Sequence, residues 1–324
     1  MPEFDLIARL RARIAARADV PLGIGDDAAL LQPPVGEQLA ITADTLNAGV
    51  HFPLETRAAD LGWKTLAVNL SDLAAMGAQP RWCTLSLSLP HDDAAWVDAF
   101  ADGFFALADL HGIALVGGDT TCGPLSCAVT AIGSLPPGAA LRRDGARVGD
   151  DIWVTGALGE AAAALSLWQA GDLDVTVPAT DAVQEQWRQH LLRPQPRVQA
   201  GLRLRGLAHA CIDVSDGLLA DLGHLCERSG VGAELALAAL PQMPSTAGVT
   251  ATQYSAWQLG GGDDYELCFT AAVQHRDAVR QALEFAQVAA TRIGRIVAAP
   301  GVVVHDASGN PWQPPQRGYQ HFVG

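Results

Sequence analysis

Six short segments of this 324-residue chain place aspartate beside glycine, serine or threonine, and they are the candidates for chemistry. In chain order they are Gly25-Asp26-Asp27, Thr42-Ala43-Asp44, Ser71-Asp72, Gly117-Gly118-Asp119-Thr120-Thr121, Asp213-Val214-Ser215-Asp216-Gly217 and Gly261-Gly262-Asp263-Asp264. Each segment alone is typical of an ordinary turn or helix cap. Two carboxylates about 4 Å apart repel by roughly 4 kcal/mol at an effective dielectric near 20. Convergence of several segments would therefore require a cation.

The donor atoms indicate which cation. Carboxylate, hydroxyl and carbonyl oxygens are hard ligands that suit Mg²⁺, Mn²⁺ or Ca²⁺. No segment has the EF-hand spacing. Mg²⁺ is favoured because it is usually held by one or two carboxylates together with substrate phosphates. A zinc site or a disulfide framework is not indicated, since no C-x-x-C pair occurs among the cysteines Cys83, Cys122, Cys127, Cys211, Cys226 and Cys268.

Asp72 carries a local argument for a bound cation. It falls in the last turn of a helix predicted over 57–76, where the negative end of the helix dipole disfavours an anion by about 0.3–1 kcal/mol. Asn69, three residues earlier on the same face, supplies a second oxygen. Either these two residues help to hold a cation, or the helix end is simply solvated.

Phosphate binding by a P-loop is excluded, because Lys64 is the only lysine and no G-x-x-x-x-G-K-[ST] motif occurs. Arg142 and Arg143 form the one arginine pair near the predicted connector between domains, where one of them could clamp a phosphate or both could be ordinary surface residues. The Ser215-Asp216-Gly217 segment leads from a predicted strand into a predicted helix. Its backbone N–H groups could bind phosphate directly, or its carboxylates could position a metal.

A nicotinamide-dependent oxidoreductase is disfavoured. Gly23-Ile24-Gly25-Asp26-Asp27-Ala28 formally fits the dinucleotide fingerprint G-x-G-x-x-A. However, Pro21-Leu22 is a poor strand before it, and two aspartates would face the pyrophosphate without a metal. Nucleic-acid binding is disfavoured as well, because 35 acidic residues outnumber 21 basic ones and no basic run occurs.

Length and periodicity indicate a two-domain α/β chain. The hydrophobic content of 49% allows a large core, and no signal peptide or membrane-spanning stretch is recognisable, so we expect a cytoplasmic protein. The domains are predicted at 1–140 and 141–324, separated by a Pro/Gly-rich connector. In the first domain, helices are predicted at 4–18, 57–76 and 93–110, with strands at 28–31, 39–43, 82–89, 113–116 and 125–135. In the second, helices are predicted at 182–192, 196–206, 218–228 and 276–286 and in an alanine-rich run after 159, with strands at 152–154, up to 213 and at 266–270.

The acidic segments also resemble those of a known family. GIGDDAALL, TADTLNAGVHF, KTLAVNLSDLAAMGAQP, VGGDTT, IDVSDGLLADL, GGGDDYELCFT and GYQHF, in this order, resemble the thiamine-monophosphate kinases, which belong to the aminoimidazole-ribonucleotide-synthetase-like superfamily. GGDTT and DxSDG are similar to the whole superfamily. NLSDLAAMGA, GGxDYEL and GYxHF are more particular to the kinases. The resemblance covers essentially the whole chain.

The resemblance implies an α/β (α+β) fold of two domains. The N-terminal domain would bind metal and ATP and pair with its copy in a homodimer, and the C-terminal domain would complete the nucleotide and acceptor site, with ATP in the cleft between them. Several Mg²⁺ ions are implied as cofactors, a monovalent cation is a further candidate, ATP is the implied co-substrate and thiamine monophosphate the acceptor. No general base is expected, because an acceptor phosphate is already largely deprotonated near neutral pH.

The resemblance also assigns residues to roles. Metal-site positions match Asp27, Thr42, Asp44, Asp72, Asp119, Asp213 and Asp216. Nucleotide contacts match Gly118, Asp119, Arg143 and Ser215, and acceptor contacts match His51, Asp263 and Tyr319. Two departures are visible. Ala43 stands where the family usually has a hydroxyl residue, and Asp263 where it more often has the longer Glu.

Two kinds of alternative remain open. One is another activity of the superfamily, such as selenophosphate synthesis or aminoimidazole ribonucleotide synthesis. Selenophosphate synthetases typically carry a reactive Cys near the N-terminus, whereas the first cysteine here is Cys83. A hydrogenase-maturation relative would end in Cys, whereas this chain ends in His321-Phe322-Val323-Gly324. The other is a noncatalytic protein that binds nucleotide or divalent cations and has lost turnover.

Overall fold

The computed structural model describes residues 3–312 and 318–319, which form two compact units. The N-terminal unit consists of Met1–Leu73 and Ala78–Gly138, and the C-terminal unit of Ala74–Gly77 and Ala139–Gly324. Each unit has its own β-sheet. In the described part of the chain, helices long and apolar enough to cross a membrane are absent.

The N-terminal unit is built on a four-stranded sheet with strand order β1-β4-β2-β3. The strands are β1 Gln38–Asn47, β2 Gln79–Leu89, β3 Ala114–Cys122 and β4 Ser126–Leu135, and the helices are α1 Glu3–Arg11, α2 Ala58–Ala75 and α3 Ala94–His111. β4 pairs antiparallel with β1 and β2, and β3 runs parallel to β2. β1 and β3 are therefore the edge strands, and both carry acidic segments named above.

Helices α2 and α3 approach each other closely at two glycines. A Cβ atom on Gly62 would lie 2.0 Å from the Phe100 carbonyl oxygen, and one on Gly103 would lie 1.7 Å from the Ala59 carbonyl oxygen. Only glycine fits at either position without moving a backbone. The close crossing holds α2, and with it Asp72, in a defined place in this unit.

The C-terminal unit has a seven-stranded sheet of order β11-β10-β7-β9-β5-β8-β6. Its strands are β5 Asp151–Thr155, β6 Ala208–Val214, β7 Gly232–Ala236, β8 Glu266–Ala271, β9 Ala290–Val297, β10 Gly301–His305 and β11 Pro311–Trp312. Its helices are α4 Glu160–Ala170, α5 Ala182–Leu192, α6 Val198–Leu204, α7 Leu218–Ser229, α8 Ala251–Gly260 and α9 Arg276–Phe285.

Helices cover both faces of this sheet, so alternate residues of β5 are buried on opposite sides. Ile152 and Val154 pack in one core with Leu222 of α7. Trp153 faces the other way, stacks on Phe269 of β8, and has the guanidinium of an α9 arginine, Arg280, 5.9 Å from its ring centroid. β6 and β8 are thus fixed side by side between two helical layers.

The mixed α/β class predicted from the sequence is confirmed, but several elements differ. α1 ends at Arg11 instead of residue 18, and Arg17, which was predicted to be helical, instead contacts Asp19 and the Gly112 carbonyl outside the helix. Residues 28–31 form only an isolated bridge between Leu30 and Leu22. β3 extends through the whole GGDTT segment, and β7 and α8 were not predicted.

Candidate functional site

Thr42, Asp44 and Asp72 lie together in the N-terminal unit. Thr42 and Asp44 are two residues apart on edge strand β1, so their side chains share a face of the sheet. The Thr42 hydroxyl donates a hydrogen bond to the Asp72 carboxylate on α2. Asn69, one turn before Asp72, accepts from the Asp44 backbone N–H at 3.1 Å. One alternative for Asp72 was that it lies at a simply solvated helix end. That alternative is wrong, because the residue is half-buried and bound to β1.

Asp27, Gly118 and Asp119 line a second part of the N-terminal unit. They border a cavity of about 790 Å³ between α1, the 23–29 segment and edge strand β3. Gly118 has φ +148°, and a Cβ there would lie 1.8 Å from the Leu85 carbonyl oxygen. Glycine is required at this position because β3 runs so close to β2. Asp119 is exposed, which an edge strand allows.

Arg11 lines the same cavity and was missed by sequence reasoning. Its guanidinium lies against Gly25, at 2.8 to 3.3 Å from where a Cβ on that glycine would be. Its neighbours Arg9, Arg13 and Arg17 form ion pairs with aspartates Asp98, Asp102 and Asp19. Within the described ranges no ion pair of Arg11 is found. The sequence shows four closely spaced arginines but not which one faces a cavity.

In the C-terminal unit, two acidic segments about 45 residues apart meet where β6 ends and β8 begins. Asp263 donates its backbone N–H to the Ser215 carbonyl at 2.9 Å, and Tyr265 donates to the Val214 carbonyl at 2.8 Å. A Cβ on Gly262 would lie 2.4 Å from the Ser215 carbonyl oxygen. Antiparallel pairing of β6 with β8 thus places the predicted residues Asp213, Ser215 and Asp263 beside one another.

The backbone N–H groups of residues 215–217 do not point outward. This contradicts one of the two interpretations of the segment, that these N–H groups bind phosphate directly. One oxygen of Asp221, on the first turn of α7, accepts from the N–H groups of Ser215, Asp216 and Gly217, each at 3.1 Å. Direct binding of phosphate by these N–H groups is therefore wrong, and metal positioning by the carboxylates is the reading that remains. Burial and the Asp216 charge raise the pKa of Asp221 to about 6.

The paired aspartates 263 and 264 have different environments. Asp263 has φ 67°, an uncommon conformation outside glycine, and accepts from the Tyr265 hydroxyl at 2.9 Å. Asp264 turns the other way, and both of its oxygens accept from the Gly159 N–H before α4 at 2.9 Å. Burial raises the pKa of Asp264 well above its ordinary value. Asp264 is therefore a half-buried structural group bound to the start of α4, which leaves Asp263 as the candidate contact residue.

Tyr319 reaches the same part of the C-terminal unit. Its backbone N–H donates to the Asp216 carbonyl at 3.0 Å, and its side chain is 45% exposed. Residues 320–322 of the GYxHF motif lie outside the described residues. The two adjacent arginines are both exposed. Arg142 is bound to Asp144 at 2.5 and 2.8 Å, whereas the Arg143 carbonyl accepts from the Ser229 hydroxyl.

His51 lies in the loop after β1. Its Nδ1 atom accepts a hydrogen bond from the Asn47 backbone N–H at 2.9 Å. This hydrogen bond orients the His51 ring, while its neighbours Phe52 and Pro53 are buried and hold the loop in place.

The predicted metal-binding residues are divided among three groups: the β1–α2 group, the cavity beside β3, and the β6–β8 loops. Among the residues that the structure describes, no cluster of three or more His, Cys, Asp or Glu side chains is close enough to hold an ion by itself. Convergence of all seven positions on shared ions remains a prediction.

Comparison with known proteins identifies the family of the two units. Residues 25–135 match the family described as AIR synthase related protein, N-terminal domain, and residues 147–307 match its C-terminal domain. The chain is 46% identical over 330 residues to the thiamine-monophosphate kinase of Escherichia coli O157:H7, with 99% of this chain and 98% of that protein covered.

Two solved structures are similar over nearly the whole chain. The crystal structure of thiamine-monophosphate kinase from Stenotrophomonas maltophilia K279a is 60% identical, with TM-score 0.88 and coverage of 94% of this chain and 96% of that one. AaThiL complexed with AMPPCP and TMP is 31% identical, with TM-score 0.76 and coverage of 99% and 97%. Full-length identity of this size, together with the two matched domains, shows that the chain belongs to the thiamine-monophosphate kinase family.

Proposed function

We propose that the protein is an ATP-dependent kinase that phosphorylates thiamine monophosphate to thiamine diphosphate. The observation that carries the proposal is the match along 99% of the chain to AaThiL, a protein whose structure contains AMPPCP, a methylene analogue of ATP, and TMP. The acidic segments that prompted the hypothesis all lie within the matched length. They supply oxygen donors of the kind that a magnesium-dependent phosphoryl transfer needs.

The residues present fit Mg²⁺ in their chemistry. The β1–α2 group offers the Thr42 hydroxyl and the Asp44 and Asp72 carboxylates, and the other two groups offer the carboxylates of Asp27, Asp119, Asp213 and Asp216. Each group offers only a few ligands. This suits Mg²⁺, because the ion usually keeps several bound waters and is held by one or two protein carboxylates together with substrate phosphates. Bound Mg²⁺ would neutralise charge on the phosphates of both substrates.

The nucleotide contacts follow from the same groups. Gly118 lies beside Asp119 on the wall of the cavity, where its backbone could contact a phosphate. Both arginines are exposed, but Arg142 is paired with Asp144, whereas among the described residues no ion pair of Arg143 is found, so Arg143 is the proposed phosphate contact. Ser215 completes the proposed set from the β6–β8 loops.

Transfer would be a direct in-line reaction. An oxygen of the acceptor phosphate attacks the γ-phosphorus of ATP, a new P–O bond forms, and the bond from the γ-phosphorus to its bridging oxygen breaks. ADP leaves with that electron pair. A general base is unnecessary because the attacking phosphate is already largely deprotonated. The protein's part is positioning and electrostatic stabilisation.

The acceptor would be held by His51, Asp263 and Tyr319. The His51 ring, oriented by the hydrogen bond from the Asn47 N–H to Nδ1, would contact the acceptor. The half-exposed ring of Tyr319 offers a flat face to a heteroaromatic ring. Asp263 is one methylene shorter than the Glu usual in the family, and its left-handed backbone sets the direction of the carboxylate.

A homodimer formed by the N-terminal unit is part of the proposal. The face of β1 opposite Thr42 and Asp44 exposes Leu39 at 44% and Ile41 at 66%. Adjacent exposed apolar residues on an edge strand are typical of a surface that another chain covers.

The test is an ADP-release assay with ATP and Mg²⁺ and a screen of acceptors. We expect release that depends on thiamine monophosphate, with a product heavier by one phosphoryl group by mass spectrometry. Thiamine, selenide and no acceptor serve as controls. Tight ATP binding without acceptor-dependent ADP would favour the noncatalytic binding protein, and selenide-dependent release would favour the superfamily alternative.

Arg11 gives a prediction about the nucleotide. If its guanidinium contacts a phosphate of ATP, Arg11→Gln should raise the KM for ATP by roughly 10- to 100-fold, since a hydrogen bond to a charged group contributes about 1.5–3 kcal/mol. Arg13→Gln is the matched control, because that arginine is two residues away and already bound to Asp102 at 2.5 Å. Steady-state kinetics at saturating acceptor provide the measurement. Equal KM values for the two variants would exclude Arg11 from nucleotide binding.

A further inference from the structure

Asp221 is a buried acid within the IDVSDGLLADL segment that has been given no metal, nucleotide or acceptor role above. It lies on the first turn of α7 and is only 4% exposed. One of its oxygens accepts three consecutive backbone N–H groups, those of residues 215–217. A single carboxylate oxygen thus determines the shape of the whole turn that follows β6.

This turn is also the point to which two other segments attach. The Ser215 carbonyl accepts from the Asp263 N–H, and the Asp216 carbonyl accepts from the Tyr319 N–H. The N–H side of the turn is therefore bound to Asp221, and its carbonyl side is bound to proposed acceptor-contacting segments. Movement of the turn would displace both segments together with the Asp216 carboxylate.

The negative charge of Asp221 has a second consequence. Consecutive backbone N–H groups in a turn form a concave site that attracts anions. With Asp221 in this place, that site is already filled by a protein carboxylate. A substrate phosphate is thereby kept from the N–H groups and left to the carboxylate side, where cations would hold it.

We propose that Asp221 is a positioning residue for phosphoryl transfer: it holds residues 215–217 so that Asp213, Ser215 and Asp216 face the bound cations and nucleotide. The inference rests on the proposed function and adds a residue to it. Asp221 acts through the turn and does not itself contact a substrate. If Asp221 had only a structural role, replacing it would lower the stability of the protein without changing kcat or the dependence on Mg²⁺.

A matched control is available in the same unit. Asp150 is also buried, at 3% exposure, and its carboxylate accepts from the Arg147 N–H at 2.9 Å and contacts His209 at 2.9 Å. Like Asp221 it ties a turn to its own side chain. It belongs to none of the three groups of site residues.

The experiment compares Asp221→Asn with Asp150→Asn in the full-length protein. Both variants keep an oxygen acceptor and lose the charge. For Asp221→Asn we expect kcat to fall and the Mg²⁺ concentration for half-maximal rate to rise, each by about 10- to 100-fold, as for residues that orient metal ligands. For Asp150→Asn we expect a similar loss of unfolding temperature, with kcat and Mg²⁺ dependence within about twofold of wild type.

Calorimetric titration with AMPPCP and Mg²⁺ separates this inference from the function on which it rests. If the wild type binds AMPPCP but transfers nothing to thiamine monophosphate, the kinase proposal fails, and weaker Mg²⁺-dependent binding by Asp221→Asn still supports the positioning role. If Asp221→Asn is less stable but has wild-type kcat, Mg²⁺ dependence and AMPPCP binding, the inference is overturned. If Asp221→Asn does not fold, Asp221→Glu is the second variant, because it keeps the charge but moves the accepting oxygen. We expect Asp221→Glu to lose Mg²⁺-dependent binding of AMPPCP as well. Binding of AMPPCP by Asp221→Glu as tight as by the wild type would contradict the inference.

Discussion

Asp72→Asn is expected to lower kcat at saturating ATP by at least about 10²- to 10³-fold, the range seen when one preorganised electrostatic contact is removed. The reason is the position of the carboxylate, which accepts from Thr42 and lies beside Asp44 and Asn69. Asn keeps the shape and an acceptor oxygen for Thr42, but it cannot supply the charge that a divalent cation needs. Asp44→Asn should have a similar effect.

Stability measurements distinguish this effect from unfolding. Asp72 lies in the last turn of α2, so neutralising it relieves repulsion with the helix dipole, and the unfolding temperature should not fall. Asp109→Asn is a matched control, because Asp109 is an exposed aspartate near the end of α3. Steady-state kinetics on the three variants decide the matter. Near-normal rates for both Asp44→Asn and Asp72→Asn would refute a metal-dependent mechanism at this group.

The largest loss of stability is expected for Arg197→Met. Arg197 binds both oxygens of Glu266, at 2.5 and 2.7 Å, and Glu266 is almost fully buried at the start of β8. Thr155 donates to the same carboxylate at 2.6 Å. Without the arginine, a buried carboxylate loses its counter-charge, and removing one partner of such a pair costs about 3–5 kcal/mol in the free energy of unfolding.

Urea unfolding provides the measurement. The double variant Arg197→Met with Glu266→Gln should recover part of the loss, because the uncompensated charge is then gone. Arg295→Met removes the guanidinium from an exposed pair with Glu234 at 2.7 Å, and it should cost less than about 1 kcal/mol. Equal losses for Arg197→Met and Arg295→Met would show that burial of the Glu266 pair contributes nothing.

The sequence by itself determined the chemistry of the donors and the positions of many regular elements. Hard oxygen ligands and the absence of a P-loop follow from composition, which folding cannot change. Helix α5 was predicted at 182–192 and is found at Ala182–Leu192, and strand β8 begins at Glu266 as predicted. Helix α5 is set by local patterns, namely the spacing of apolar residues over its turns and an N-cap at Asp181.

Elements without such a pattern escaped prediction. β3 extends through GGDTT because pairing with β2 along its whole length outweighs the low strand propensity of glycine and aspartate. β7 is stabilised by β9 and β10 on its two sides. Hydrogen bonds to distant strands decided these elements, and no window of local sequence contains them.

Only the tertiary structure decided how the candidate residues are arranged. It joined Thr42 to Asp72 across 30 positions and turned the N–H groups of residues 215–217 inward to Asp221. It also left Arg11 facing a cavity while its neighbours bind aspartates. The physical reason is that residue types and short periodicities are local properties. Which donor meets which acceptor depends on strand pairing and helix packing between residues far apart in the chain.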